Sequence, residues 1–158
     1  MRELSRFFAS VNISAPERHM TELLELNEKT KRFGLTLAPD DIKPLMAARN
    51  QALRHYGRLE LGIEATKELI EVFSESPYIH RENFAFTLQE LHEIFYDLKN
   101  ETEDKIGDSR LIGIMKDCFD RECGGSLELL RSKLEEFAAE FRFEAMRDEL
   151  RGEGENGE

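Results

Sequence analysis

Arg49 stands where a helix should show a core residue. From Ile42 to Tyr56, the side chains of Leu45, Met46, Ala52, Leu53 and Tyr56 recur at helical spacing on one arc, and Arg49 projects from its centre. A guanidinium keeps its proton in a protein and cannot be left unpaired in an apolar core. Arg49 therefore needs a carboxylate or an anionic ligand. Glu60 and Glu101 are the candidate carboxylates, since a two-pronged Arg–carboxylate pair would satisfy both charges. Asn27 and Thr30 share the apolar arc of an earlier helix with Leu23 and Leu26. His19 lies further back on the same side, and Thr87 sits similarly in a later helix. Buried polar groups require partners, so these residues should meet one another, Arg49 or a ligand. Two readings follow. One is a polar network that fixes helix register; the other is a site for a small anion built from Arg49, Asn27, Thr30, Glu60 and Glu101. Asn50 and Arg54 fall beside Lys43 on the outer face and read as solvated.

Other familiar chemistry is missing. There is no Gly-rich phosphate loop, no Glu-x-x-His pair, no His-Glu-x-x-His, no nucleophile elbow and no EF-hand loop. No catalytic residue is assigned, and no cofactor or metal is expected. Cys118 and Cys123, five residues apart and without a neighbouring His, do not match a zinc spacing. Cys118 shares an arc with Leu111, Ile114, Met115 and Phe119 and reads as a small packed hydrophobe, and Cys123 falls in a turn.

The elements that must position these residues are helices. A first helix should run from Ser14, capped by Ser14 and Glu17, to Gly34, and a second from Asp41 to Gly57 with Pro44 in its first turn. Residues 58–61 are too few to found a sheet. A third helix is predicted over 63–75 and ends at Ser76-Pro77, because a residue before proline avoids helical angles. The fourth, over 81–101, carries Phe84, Leu88, Leu91, Ile94, Phe95 and Leu98 in one seam, flanked by Ala85, His92 and Tyr96. So broad a seam marks a central helix. A fifth is predicted over 109–121, then a Gly124-Gly125 turn, then a sixth capped by Ser126 with Leu127, Leu130, Leu134, Phe137, Ala138 and Phe141 inward. The expected fold is an all-α, single-domain, irregular six-helix bundle with a long central fourth helix. Its domain spans 14–150, between a loosely packed arm at 1–13 and a disordered acidic tail at 151–158.

At 158 residues the chain suits one domain that buries roughly two thirds of its unfolded surface. The net charge of -11 is uneven: residues 1–60 hold ten Lys and Arg against eight Asp and Glu, and residues 61–158 hold twelve against 25. Nucleic-acid binding rests on clustered cations, and only 29–58 has a modest excess, so a nucleic-acid partner is not expected. A helix-turn-helix over the third and fourth helices fails for the same reason, since Glu82, Glu90, Glu93, Asp97 and Glu101 outnumber Arg81 and Lys99. No apolar run reaches the ~20 residues of a membrane span and no secretory signal opens the chain, which makes the expected location cytoplasmic. Phe86, Phe143 and Met146 fall off the seams of their helices, so a protein partner or a homo-oligomer is expected.

Several stretches carry a family resemblance: Leu-Asn-Glu-Lys-Thr at 26–30, Arg-Asn-Gln-Ala-Leu at 49–53, Gly-Arg-Leu-Glu-Leu-Gly at 57–62, Ser-Pro-Tyr-Ile at 76–79, Glu-Ile-Phe-Tyr-Asp-Leu-Lys-Asn-Glu-Thr at 93–102 and Gly-Ser-Leu-Glu at 125–128. The chain resembles a family of uncharacterised helical proteins from Gram-positive, largely anaerobic bacteria. That resemblance implies a single cytoplasmic helical domain and transfers no catalytic residue. The charged segment after about residue 144 looks like an addition to the pattern. The functional expectation is a non-enzymatic interaction module, with a small anionic-ligand binder or enzyme centred on Arg49 as the alternative.

Overall fold

The computed structural model describes residues 15–156, and side chains through 152. The expectations for residues 1–13 and for the Ser14 cap lie outside the described residues. Six helices and no strand occur among those described: α1 (Ala15–Glu25), α2 (Pro39–His55), α3 (Glu64–Phe73), α4 (Phe84–Glu101), α5 (Asp108–Asp120) and α6 (Leu127–Asn156). They form one bundle. α4 is its centre, packing on α2, α6, α5 and α3, with Leu88, Leu91, Phe95 and Tyr96 fully buried. The seam predicted for α6 faces the bundle, where Leu130, Leu134 and Ala138 are buried and Phe137 and Phe141 pack at the edge.

The first helix is not continuous to Gly34. After Glu25 the chain tightens, Leu26 N–H bonding to the Leu23 carbonyl at 3.2 Å, and proceeds through a helical turn (Asn27–Thr30) and a 3₁₀ turn (Lys31–Phe33). The break has a visible cause. Asn27 holds the backbone of Leu37 from both sides, its Nδ2 donating to the carbonyl at 2.9 Å and its Oδ1 accepting the N–H at 2.8 Å, so the connector lies along the helix end. Gly34 then ends the turn with φ +74°, an angle that favours glycine.

α2 begins at Pro39, two residues before the expected start. Proline suits a first helical position, and Asp41 Oδ2 reaches back to accept the Ala38 N–H at 2.8 Å. Pro44 consequently sits inside the helix, beyond the turn where its missing N–H costs nothing. Ser126 caps α6 as expected, accepting the Leu129 N–H at 3.2 Å. Helical backbone then continues to Asn156, through the first residues of the segment read as a disordered tail. Extending an existing helix adds one hydrogen bond per residue with no new nucleation, which carries it over the glycines.

Candidate functional site

Gly57, at φ +64°, stops α2, and the Arg58 N–H turns back to the Leu53 carbonyl at 2.8 Å. The chain then crosses from α2 to α3 as a short segment, Arg58-Leu59-Glu60-Leu61-Gly62, whose side chains alternate in direction. The alternation is inverted relative to hydrophobicity. Leu59 and Leu61 are 86% and 83% exposed, while Arg58 and Glu60 turn inward to partners on the bundle.

Arg49 accounts for much of this. It is 4% exposed, in the middle of the α2 face that packs on α4. Its Nη2 donates to the carbonyls of Glu60 at 2.8 Å and Gly62 at 2.7 Å, and its Nη1 to Asn50 Oδ1 at 2.8 Å. His19 of α1 supplies the third bond, Nε2 to the Leu61 carbonyl at 3.3 Å. The carbonyls of Glu60 and Gly62 are thereby turned to the buried guanidinium, and that of Leu61 to a half-exposed imidazole.

The inward side chains complete the clasp. Glu60 Oε2 accepts the Tyr96 hydroxyl at 2.6 Å, and its Oε1 accepts Lys99 Nζ at 3.2 Å. Lys99 also meets Asp108 at 2.9 Å, and Arg58 Nη2 donates to Asp104 at 2.7 Å. Burial raises the Tyr96 hydroxyl well above its ordinary range; Glu60 adds to this and Arg49 opposes it. Burial alone would lower the Lys99 ammonium, but Asp108 and Glu60 outweigh it and hold the group above its usual value. Beneath the clasp, fully buried His92 places Nδ1 2.6 Å from the Leu88 carbonyl and Nε2 3.0 Å from Thr66 Oγ1. Nδ1–H therefore donates, and Nε2 accepts the threonine hydroxyl. Burial, helped by Arg49, pushes His92 down to about 4, although its bond to Leu88 acts the other way.

The two-pronged Arg–carboxylate pair expected of Arg49 is not what the structure shows. Glu60 meets Arg49 through its backbone oxygen, because its carboxylate is taken by Tyr96 and Lys99. Glu101 lies elsewhere, paired with Arg142 of α6. Asn27 clamps Leu37, and Thr30 is buried beside it at the end of the α1 segment; neither joins Arg49. Asn50, read as solvated, is exposed yet accepts from Arg49. Arg49 does not wall any of five cavities that open on the described surface. Sequence reasoning missed Tyr96, Lys99, Arg58, Asp104 and His19 as holders of this loop. The available signal was the strict alternation of leucine with charge over 58–61.

No group of three or more His, Cys, Asp or Glu among the described residues could hold a metal ion. Cys118 and Cys123 are free thiols with sulfurs 3.5 Å apart. Burial, with the second thiol beside it, raises Cys118 to about 12, which makes it a poor nucleophile at neutral pH. Nor does His92, neutral and with both nitrogens engaged, present a free base. What this arrangement does is tie a loop to the bundle. None of the described helices is long and apolar enough to cross a membrane.

Comparison with curated proteins and with solved structures finds no match to this chain. A family model does match, over residues 22–147, a span that takes in the α2–α3 loop and every stretch on which the resemblance was drawn. It ends at residue 147, inside the charged segment that follows residue 144. The chain belongs to the family of unknown function DUF6323.

Proposed function

We propose that this protein is a non-enzymatic interaction module of the cytoplasm and that the loop at 58–62 is its docking element. The observation that carries this reading is the pair of outward leucines on a loop whose backbone is bonded by Arg49 and His19 and whose Glu60 side chain is bonded by Tyr96 and Lys99. Leucines left in water give up roughly 1.5–3 kcal/mol each that burial would return, so a fold that spends a buried arginine on holding them outward has a use for them. The partner they suit is a protein surface with two apolar sockets roughly 7 Å apart, the spacing of alternate residues on an extended chain. Because Arg49 and His19 already occupy the carbonyls of 60–62, that partner reads side chains and does not add a strand to this edge. Arg49 Nε is buried without an acceptor, but an anion there would have to displace the protein acceptors already on the terminal nitrogens, which weighs against the ligand-binding alternative.

The test is site-specific photo-cross-linking in the producing cell. A photoreactive residue replacing Leu59 or Leu61 should trap the same protein partner, and the same residue replacing exposed Asp40 should not. Leu59→Asp with Leu61→Asp should abolish the complex while leaving the melting temperature unchanged. No cross-link at either leucine would overturn the reading.

A further inference from the structure

The C-terminal half of α6 carries a second apolar stripe on the side away from the bundle. Phe141 and Ala145 lie toward the bundle, half-buried, whereas Phe143, Met146 and Leu150 are 61%, 56% and 63% exposed. With exposed Ala139 they repeat at the four-three-four spacing of a coiled-coil seam. At about 100° per residue the four fall within one arc, roughly opposite the core-facing one. A helix apolar on two opposite sides has two neighbours to satisfy. The bundle supplies one of them.

We propose that this stripe is covered by the same segment of a second copy of the chain, running antiparallel. The charges flanking the stripe select both partner and direction. In the antiparallel register that stacks Phe143 on the partner's Met146 and Leu150 on the partner's Ala139, with each contact repeated by symmetry, Arg147 faces the partner's Glu140 and Arg142 faces the partner's Glu149. All four flanking positions are complementary. A parallel pair would set Arg142 beside the partner's Arg147 and Glu135 beside the partner's Glu140, like against like. Glu140 and Arg147 form no ion pair among the described residues. Arg142 uses one terminal nitrogen on Glu101, and Glu149 reaches Lys105 only at 3.9 Å. The contact is two-fold and closes on itself, so it gives a dimer and not a fibre. It uses a surface separate from the 58–62 loop and does not depend on that loop's function.

Sedimentation equilibrium of the full chain across a concentration series up to the millimolar range tests it. The wild type should be a reversible dimer and Met146→Glu a monomer of unchanged helicity. Arg147→Glu and Glu140→Arg should each weaken the dimer, roughly two- to tenfold. The double swap Glu140→Arg with Arg147→Glu should recover the wild-type dissociation constant, because the pair is re-formed in the opposite sense. A wild type that stays monomeric throughout, a dimer indifferent to Met146→Glu, or a double swap no better than the single variants each overturns the proposal.

Discussion

A buried guanidinium is usually discussed as half of an ion pair, and Arg49 shows the other solution. Carbonyl oxygens carry enough partial charge to accept from it, and Arg can address two at once from one nitrogen because its donors are fixed in a plane. Lysine at this position would bring a point charge and lose that geometry. The cation also reaches past the loop. It is one reason why His92 stays neutral, and this has a consequence for stability. His92 ordinarily titrates near 6.5 and here near 4, so the folded state holds the neutral form while the unfolded chain takes up a proton between those values. The contribution is complete above about 6.5 and is lost as pH falls toward 4, a difference of roughly 3 kcal/mol. Urea unfolding of wild type and His92→Gln from pH 7 to pH 4 should show the wild type losing that much more than the variant. Parallel curves would contradict the burial account.

Between residues and the bundle stand the joints that join one helix to the next. Gly125, between α5 and α6, is the tightest of them. Its φ is +83°, its N–H bonds the Phe119 carbonyl at 2.9 Å, and a Cβ there would come 2.5 Å from Tyr78 Cβ in the α3–α4 connector. Gly125→Ala should destabilise the fold by roughly 2–4 kcal/mol, strain and overlap together, whereas Gly124→Ala meets open space and should cost less. Calorimetry of the two variants checks the order. These joints were partly legible: the Gly124-Gly125 turn, the Ser126 cap and the broad seam of α4 all announce themselves in the residues. Arg49 was legible as buried because its neighbours on the helix wheel left it nowhere else to point. Its acceptors were not, since backbone carbonyls leave no mark on a sequence and a search for acids finds Glu60 for the wrong atom. The outward turn of Leu59 and Leu61 was illegible for a related reason. Hydrophobicity sorts leucine inward and charge outward, and only Tyr96, Lys99 and Asp104, about forty residues downstream, reverse that order. The break at Leu26 is likewise set by the connector that Asn27 grips.

For the molecule as a whole, the loop is where separate parts of the chain converge. α1 contributes His19, α2 Arg49, α4 Tyr96 and Lys99, and the α4–α5 connector with the start of α5 contributes Asp104 and Asp108. The bundle therefore works as a mount: its helices tie down one short loop, and the C-terminal half of α6, which carries the proposed dimer face, adjoins the same α4–α5 connector through Glu101 and Lys105. The whole of the acidic excess lies on residues 61–158. All of this requires the loop to be as rigid as the helices around it. Backbone ¹⁵N relaxation of residues 59–62 measures that directly in wild type and Arg49→Gln. The account predicts helix-like order parameters of about 0.85 in the wild type and a fall below about 0.6 in the variant, with α4 unchanged. A wild-type loop already below that value, or one equally ordered without Arg49, would contradict it.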